Sequence, residues 1–304
     1  MSKRAIFKGY VEIQRASSGS LGKLQVHYRE SGNGFPVLLL HPSPLSSKFM
    51  EPLIKLFSHH SRAIAWDTPG YGQSDQLPHR ESSLSPYVSA LHDFISALNL
   101  DRPIIYGSAT GAQIAIEYGR AFPELTRGLI LENTAWFFDE EREKMMSSYF
   151  PSLEPKENGS HLQLAWQMAT QLYRHFPWYD QSIDTLINEE GAPLELVHQT
   201  AMHYLISWRG YDDAYRAAFF NEKPEPLQEL SVPTRLVMWS GSLLAKYSNR
   251  LKDIELPNNV TIEPVLGDNN DRFDKLETLL TQMLPTREYS GGLNPPPTQE
   301  KGTT

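Results

Sequence analysis

Hydrophobic and polar positions alternate, or nearly alternate, along residues 9–14 and 23–30, with Ser17, Ser18, Gly19 and Ser20 between them. A period of two bounded by turn residues predicts an opening antiparallel hairpin. Four later runs, 37–41, 63–67, 103–106 and 128–132, are short and apolar, and helical patterns at 46–58, 83–98 and 112–122 separate them. Strands covered on both faces lose the alternation, so this rhythm predicts a parallel sheet with crossover helices. Pro123 stops the third helix, because proline removes a backbone donor and clashes with the preceding turn. From about residue 134 the strand rhythm lapses, and it returns at 234–239 and 260–265. The stretch between is aromatic-rich and helix-patterned, at 162–174 and 194–208 in particular, and reads as a helical cap inserted between strands. A last helix at 273–283 closes the sheet. Beyond Pro285 the Gly- and Pro-rich end has little apolar area to bury and is expected to be disordered. The expected organisation is a core over 1–133 and 230–285, a cap over 134–229 and a tail over 286–304.

With 304 residues the chain is long enough to bury a sizeable core. A net charge of -8 without a Lys/Arg block argues against a nucleic-acid partner. Cysteine is absent, which removes disulfides, thiolate nucleophiles and Cys-based metal sites together. No apolar run is long enough for a membrane span and no secretory pattern opens the chain, so a cytoplasmic protein that meets no membrane is expected. Histidines at metal-binding spacing are missing, and neither a metal nor a cofactor is expected.

The candidate chemistry centres on Tyr106-Gly107-Ser108-Ala109-Thr110-Gly111-Ala112, a small-x-x-x-small turn between an apolar strand and a helix. Such a turn lifts its central side chain above the sheet, and the flanking glycines permit the tight reversal and the close helix–strand approach. Two further motifs accompany it, Leu39-Leu40-His41-Pro42-Ser43-Pro44 and Asp67-Thr68-Pro69-Gly70-Tyr71-Gly72-Gln73-Ser74-Asp75. In this order the three resemble the α/β-hydrolase superfamily, in particular its capped branch of epoxide hydrolases, haloalkane dehalogenases, C–C bond hydrolases and proline iminopeptidases. The resemblance covers roughly residues 8–285. It implies an α/β fold with a mostly parallel sheet of eight strands, helices on both faces and an inserted helical cap.

The resemblance also implies a catalytic triad, and the chain departs from it at each expected position. Ala109 stands where the nucleophile belongs, Leu243 or Leu244 in place of the acid, and Asn269 in place of the histidine. No histidine follows His203, so shifting the alignment recovers none. Ser108 lies one place early and reads as structural or pocket-lining, since a neutral serine without a base is a weak nucleophile. In the family two backbone N–H groups form the oxyanion hole, and the matching residues are Ser43 and Thr110. Such amides serve either a developing oxyanion or a ligand carbonyl.

Other groups are weighed against plain structural roles. His41 and Asp67 read as loop organisers. Glu132, Asp268 and Asp271 fall at or after strand C-terminal ends, where an acid or base would sit, although solvated loop carboxylates are the commoner outcome. His198 borders an apolar stripe of Leu194, Val197, Ala201, Leu205 and Trp208, with His203 on another face; Trp136 and its aromatic neighbours would line a hydrophobic pocket. The expected function is a cofactor-independent, non-hydrolytic enzyme, a lyase, isomerase, dehydratase or cyclase, acting on a small hydrophobic or aromatic molecule. The alternative is a catalytically silent ligand-binding or sensor protein.

Overall fold

A computed structural model describes residues 5–14, 22–77 and 83–285. The expected turn at 17–20 and the expected disordered tail lie outside these residues. Eight strands form one sheet: β1 (Phe7–Gln14), β2 (Lys23–Gly32), β3 (Pro36–Leu40), β4 (Arg62–Trp66), β5 (Ile104–Ser108), β6 (Gly128–Glu132), β7 (Thr234–Trp239) and β8 (Val260–Val265). Their spatial order is β1-β2-β4-β3-β5-β6-β7-β8. The pairs β1/β2 and β2/β4 are antiparallel, and every other neighbouring pair is parallel. The opening hairpin and the eight-stranded, mostly parallel α/β architecture are therefore as the sequence predicts.

Alternate residues of each inner strand go to opposite faces. Leu38, Leu40, Ile64, Ile105, Leu129 and Leu131 join a core with α2 (Ser85–Ala97) and α3 (Thr110–Ala121). Val37, Leu39, Ala63, Ile104, Tyr106 and Ile130 join another with α1 (Glu51–Phe57) and the last helix, Asn269–Met283. Both faces are dry, which is why these strands read as unbroken apolar runs. Between β6 and β7 the chain forms α4 (Asp139–Ser148), α5 (Ser160–Leu172), α6 (Leu194–Ile206), α7 (Asp213–Asn221) and α8 (Pro224–Gln228); after β7 comes the short α9 (Ala245–Ser248), and the last helix is α10. No helix among the described residues is long and apolar enough to cross a membrane.

α10 starts at Asn269, earlier than the hydrophobic pattern suggests. Its start is set by a reciprocal cap: the Asp268 carboxylate accepts from the Asn270 and Asp271 amides at 2.7 and 3.1 Å, and Asp271 accepts from the Asp268 amide at 2.9 Å. Those two carboxylates are therefore helix-capping groups, and the Asp268 carboxyl is held below its ordinary range by the Asp271 and Asn270 hydrogen bonds.

Two constraints fix the centre of the sheet. The first is the turn at Ala109, whose φ of 48° and ψ of -114° are disfavoured for any residue with a Cβ. The Ala109 amide donates to the Glu132 carbonyl at 3.0 Å, and its own carbonyl accepts from Gln113 at 3.0 Å. A Cβ on Gly111 would lie 2.2 Å from the Leu40 carbonyl oxygen, so only glycine lets α3 approach β3 this closely. The second is a buried ion pair beneath the sheet. Glu132, 2% exposed, accepts from Arg272 Nε at 2.8 Å and Nη2 at 2.7 Å, and from the Tyr106 hydroxyl at 2.5 Å. Burial, reinforced by the Glu132 charge, pushes the Tyr106 phenol well above its usual range.

Arg272→Met leaves Glu132 buried without its cation and is expected to cost about 3–5 kcal/mol, with most of the loss recovered in the Arg272→Met/Glu132→Leu double variant. Urea titrations at neutral pH check this, and equal losses in single and double variants would refute it. Ala109→Gly relieves the positive φ and is expected to stabilise the fold by about 1 kcal/mol in the same assay.

Candidate functional site

The turn at Ala109 places three loops together at the C-terminal edge of the parallel strands, the edge at which ligands bind in open α/β sheets. Ser43 lies in the loop after β3, and Thr110 is the first residue of α3. Among the described residues, neither the Ser43 nor the Thr110 amide donates to a protein acceptor. Their hydroxyls are buried without a partner as well. Both amides are thus uncommitted, and that of Thr110 stands at the positive end of a three-turn helix, where partial charge favours an anionic group.

The loop bearing Ser43 is fixed from below. His41 is 1% exposed; its Nε2 accepts from the Thr68 amide at 2.9 Å, which leaves the proton on Nδ1 to donate to the Pro42 carbonyl at 3.1 Å. Burial pushes this imidazole down to about 4, against the pull of Asp67, so it stays neutral. Burial alone would raise the Asp67 carboxyl. Hydrogen bonds from His27 at 2.9 Å, the Ser47 amide at 2.6 Å and the Gln73 amide at 2.9 Å instead hold it down to about 2. His41 and Asp67 thus act as loop organisers, joining the segment after β3 to the 67–75 turn.

Around Ala109 the polar groups are neutral. Asn133 Nδ2 donates to Ser108 Oγ at 2.7 Å, Ser242 Oγ donates to Asn133 Oδ1, and the Leu244 amide donates to Ser242 Oγ at 3.0 Å. This chain links the ends of β5, β6 and β7. Leu243 and Leu244 turn the other way and pack, with half-buried Ala109, against an aromatic cluster from the helical insertion. Asn269 is exposed on the first turn of α10, where its Oδ1 accepts from Arg272 Nη1 at 3.1 Å. Glu132 is committed to Arg272 and Tyr106 on the far side of the sheet.

The insertion places its predicted site residues differently from the sequence reading. His198 is exposed and Leu194 is 74% exposed, because the buried stripe of α6 is Val197, Thr200, Ala201 and Tyr204. Val197, Ala201, Leu205 and Trp208 of the expected stripe do face the core of the insertion, and Leu194 alone does not. His203, assigned to another face, is the histidine that turns inward. Its Nδ1 donates to the Gln199 carbonyl at 2.6 Å, so Nε2 accepts from Ser46 Oγ at 2.8 Å. Burial lowers its affinity for a second proton. Trp136 packs on the core shared by α2 and α3 and against Phe138, and it does not line the open space near the turn.

That open space lies to one side. A cavity of about 410 Å³ is walled by Tyr173, Phe176 and Tyr247, with Leu186, Ser242 and Leu243 among its other lining residues. Directly over Ala109 the insertion presents Phe137, Tyr149, Tyr204, Tyr215 and Phe219 as one packed cluster. Among the described residues, no three His, Asp or Glu side chains converge as metal ligands.

Asn133, Ser242, His203 and Glu222 complete the surroundings; of these the sequence reading named only His203, and without a role at the site. The contacts of the first three join residues 25 to 157 positions apart. No local pattern announces such pairs. Asn133 does carry a signal, since an asparagine after an apolar strand tolerates the positive φ of 55° it adopts.

Comparison with known proteins agrees with this fold. Over 191 residues the chain is 28% identical to the (E)-2-((N-methylformamido)methylene)succinate hydrolase of Acinetobacter baylyi, a match covering 63% of this chain and 65% of that protein's length. The fold superposes on a thermophilic esterase from Thermogutta terrifontis with a TM-score of 0.67 at 16% identity, covering 90% of this chain and 99% of that one. It likewise superposes on the haloalkane dehalogenase DatA of Agrobacterium tumefaciens C58 with a TM-score of 0.62 at 18% identity, covering 91% and 97%. Residues 37–265 match the model of the alpha/beta hydrolase family, and the chain belongs to that family.

Proposed function

We propose that this protein is a cofactor-independent, non-hydrolytic enzyme, a lyase, isomerase, dehydratase or cyclase, acting on a small hydrophobic or aromatic molecule. The observation that carries this reading is the pairing of a strained turn built around a methyl group with the uncommitted amides of Ser43 and Thr110. Ala109 has no atom to attack a carbonyl, and the groups around it, Ser108, Asn133, Ser242, Leu243 and Leu244, include neither base nor carboxylate. The electrostatic part of the site is what remains available. Each donor of this type stabilises a developing oxyanion by about 2.7–4 kcal/mol in hydrolases, and an enolate oxygen draws on the same geometry. The ligand body belongs in the aromatic-walled cavity that Ser242 and Leu243 help to line. On this reading Leu243 and Asn269 hold the places of acid and base without their chemistry.

A second reading rests on one contact. Ser46 and His203 make a serine–imidazole hydrogen bond of 2.8 Å with the ring oriented by the Gln199 carbonyl, the arrangement of a nucleophile and its base. Ser46 is only 5% exposed, and it does not line the aromatic-walled cavity beside the turn. We therefore treat the pair as a link between α6 and the loop after β3.

The readings separate experimentally. Ala109→Ser is expected to leave hydrolysis of 4-nitrophenyl esters at background, because no base reaches position 109. A fluorophosphonate probe is expected to leave Ser46 unmodified; modification of Ser46, lost in His203→Gln, would favour the second reading. Incubation with aryl ketones in D₂O, followed by proton NMR, is expected to reveal protein-dependent exchange at the carbon next to the carbonyl, with solvent taking the proton and returning a deuteron while the two amides stabilise the enolate oxygen. A complete absence of exchange across such a panel, together with ester turnover by the unmodified protein, would overturn the proposal.

A further inference from the structure

Glu222 is the buried ionisable group that neither the sheet nor the loops explain. It follows α7 directly, with its amide donating to the Ala218 carbonyl at 3.0 Å and its carbonyl accepting from the Phe137 amide at 3.2 Å. The preceding Asn221 donates to Gln113 of α3 at 3.0 Å, which fixes this end of the insertion on the helix that begins at Ala109. The Glu222 side chain is 2% exposed, and its Oε2 has no hydrogen-bond partner. Among the described residues it forms no ion pair. Arg142, the cation nearest to hand, directs its guanidinium to the carbonyls of Phe137 and Phe219, to Asp139 and, at 3.5 Å, to the backbone carbonyl of Glu222, and not to the Glu222 carboxyl.

A carboxylate so placed would be desolvated without compensation, and the group responds by keeping its proton. Burial pushes the carboxyl well above its ordinary range, and Arg142 offsets only part of this. The groups facing it are Arg142 from α4 together with the phenols of Tyr149 and Tyr215. Those two phenols share one hydrogen bond of 2.9 Å, so one of their two protons is uncommitted. The neighbouring Tyr204 hydroxyl is buried without a partner. Oxygen-bound protons thus gather in a dry cluster that also covers Ala109.

We infer that Glu222 is a hydrogen-bond donor and that, with Tyr149, Tyr204 and Tyr215, it forms a second oxygen-binding pole, separate from the Ser43 and Thr110 amides, which takes the phenolate or enolate oxygen of an aromatic ligand. This rests on the proposed small-molecule reading of the site and names the ligand class for it. An uncharged carboxylic acid in an apolar setting donates a strong hydrogen bond to an anionic oxygen, whereas an ionised one repels it.

The sign of the pH dependence follows from the raised proton affinity of the folded state. The unfolded chain releases this proton near pH 4.3, roughly the ordinary glutamate value, while the folded chain keeps it. The stabilising contribution is therefore complete below that pH and is lost as pH rises toward the folded-state value. Glu222→Gln and Glu222→Leu are expected to melt higher than the unmodified protein at pH 7.5, with the difference closing toward pH 5. Infrared spectra at pH 7 are expected to show a protonated-carboxyl band that Glu222→Gln abolishes. Binding of 4-nitrophenolate, followed by its absorption, is expected to weaken at least tenfold in Glu222→Leu and only a few-fold in Glu222→Gln, which retains a donor. Missing carboxyl intensity, or unaltered phenolate binding in Glu222→Leu, would overturn this inference while leaving the proposed function standing. Failure of the unmodified protein to bind 4-nitrophenol at all would overturn both.

Discussion

The reversal between β5 and α3 is the constraint to which the surrounding structure conforms. A positive φ on a residue with a Cβ persists only where its surroundings over-determine it. Here they do so from three sides: the Glu132 carbonyl holds the Ala109 amide, Gly111 admits the Leu40 carbonyl against α3, and the aromatic cluster closes over the methyl. Because β5 pairs with both β3 and β6, the loops leaving all three strands are positioned by the same turn. The amides of Ser43 and Thr110 owe their common location to it.

What gathers around Ala109 is neutral oxygen and amide chemistry, because the ionised Asp67 and Glu132 carboxylates are committed to partners of their own. His41 and His203 are neutral, Asn133 and Ser242 form an uncharged chain, and Glu132 is neutralised by Arg272 across the sheet. In a low-dielectric interior, charge introduced by a ligand would be the dominant field, and prearranged dipoles would respond to it without reorganising. That setting is consistent with binding or generating a single anionic oxygen, and it gives no support to a charge-separated triad.

Much of the architecture was legible because burial on both faces leaves a direct trace in composition. The runs at 37–41 and 103–106 need no alternation, and β3 and β5 follow them closely. The start of α10 was missed although Asp268 and Asp271 carry the cap in their spacing, since the apolar periodicity begins only later in the helix. The stripe of α6 was legible at Val197, Ala201, Leu205 and Trp208 and failed at two positions for a physical reason: Leu194 sits on the exposed first turn, while Thr200, a polar residue, is fully buried and hydrogen-bonded to the Tyr173 hydroxyl at 2.8 Å. Pairs such as Glu132 with Arg272, 140 positions apart, are products of the fold and leave no local signature. Glu222 is the clearest case, since nothing in the residues beside it announces a desolvated acid.

The contact between Ser46 and His203 has a mechanical meaning. α6 is held to the segment after β3 by a hydrogen bond between a buried serine and a half-buried histidine. Any swing of the insertion that opens a route to the turn must either break that bond or carry the Ser43 segment with it. Under the proposed function, access and oxyanion geometry would then be coupled, since a displacement of α6 outward would also disturb the segment that carries the Ser43 amide.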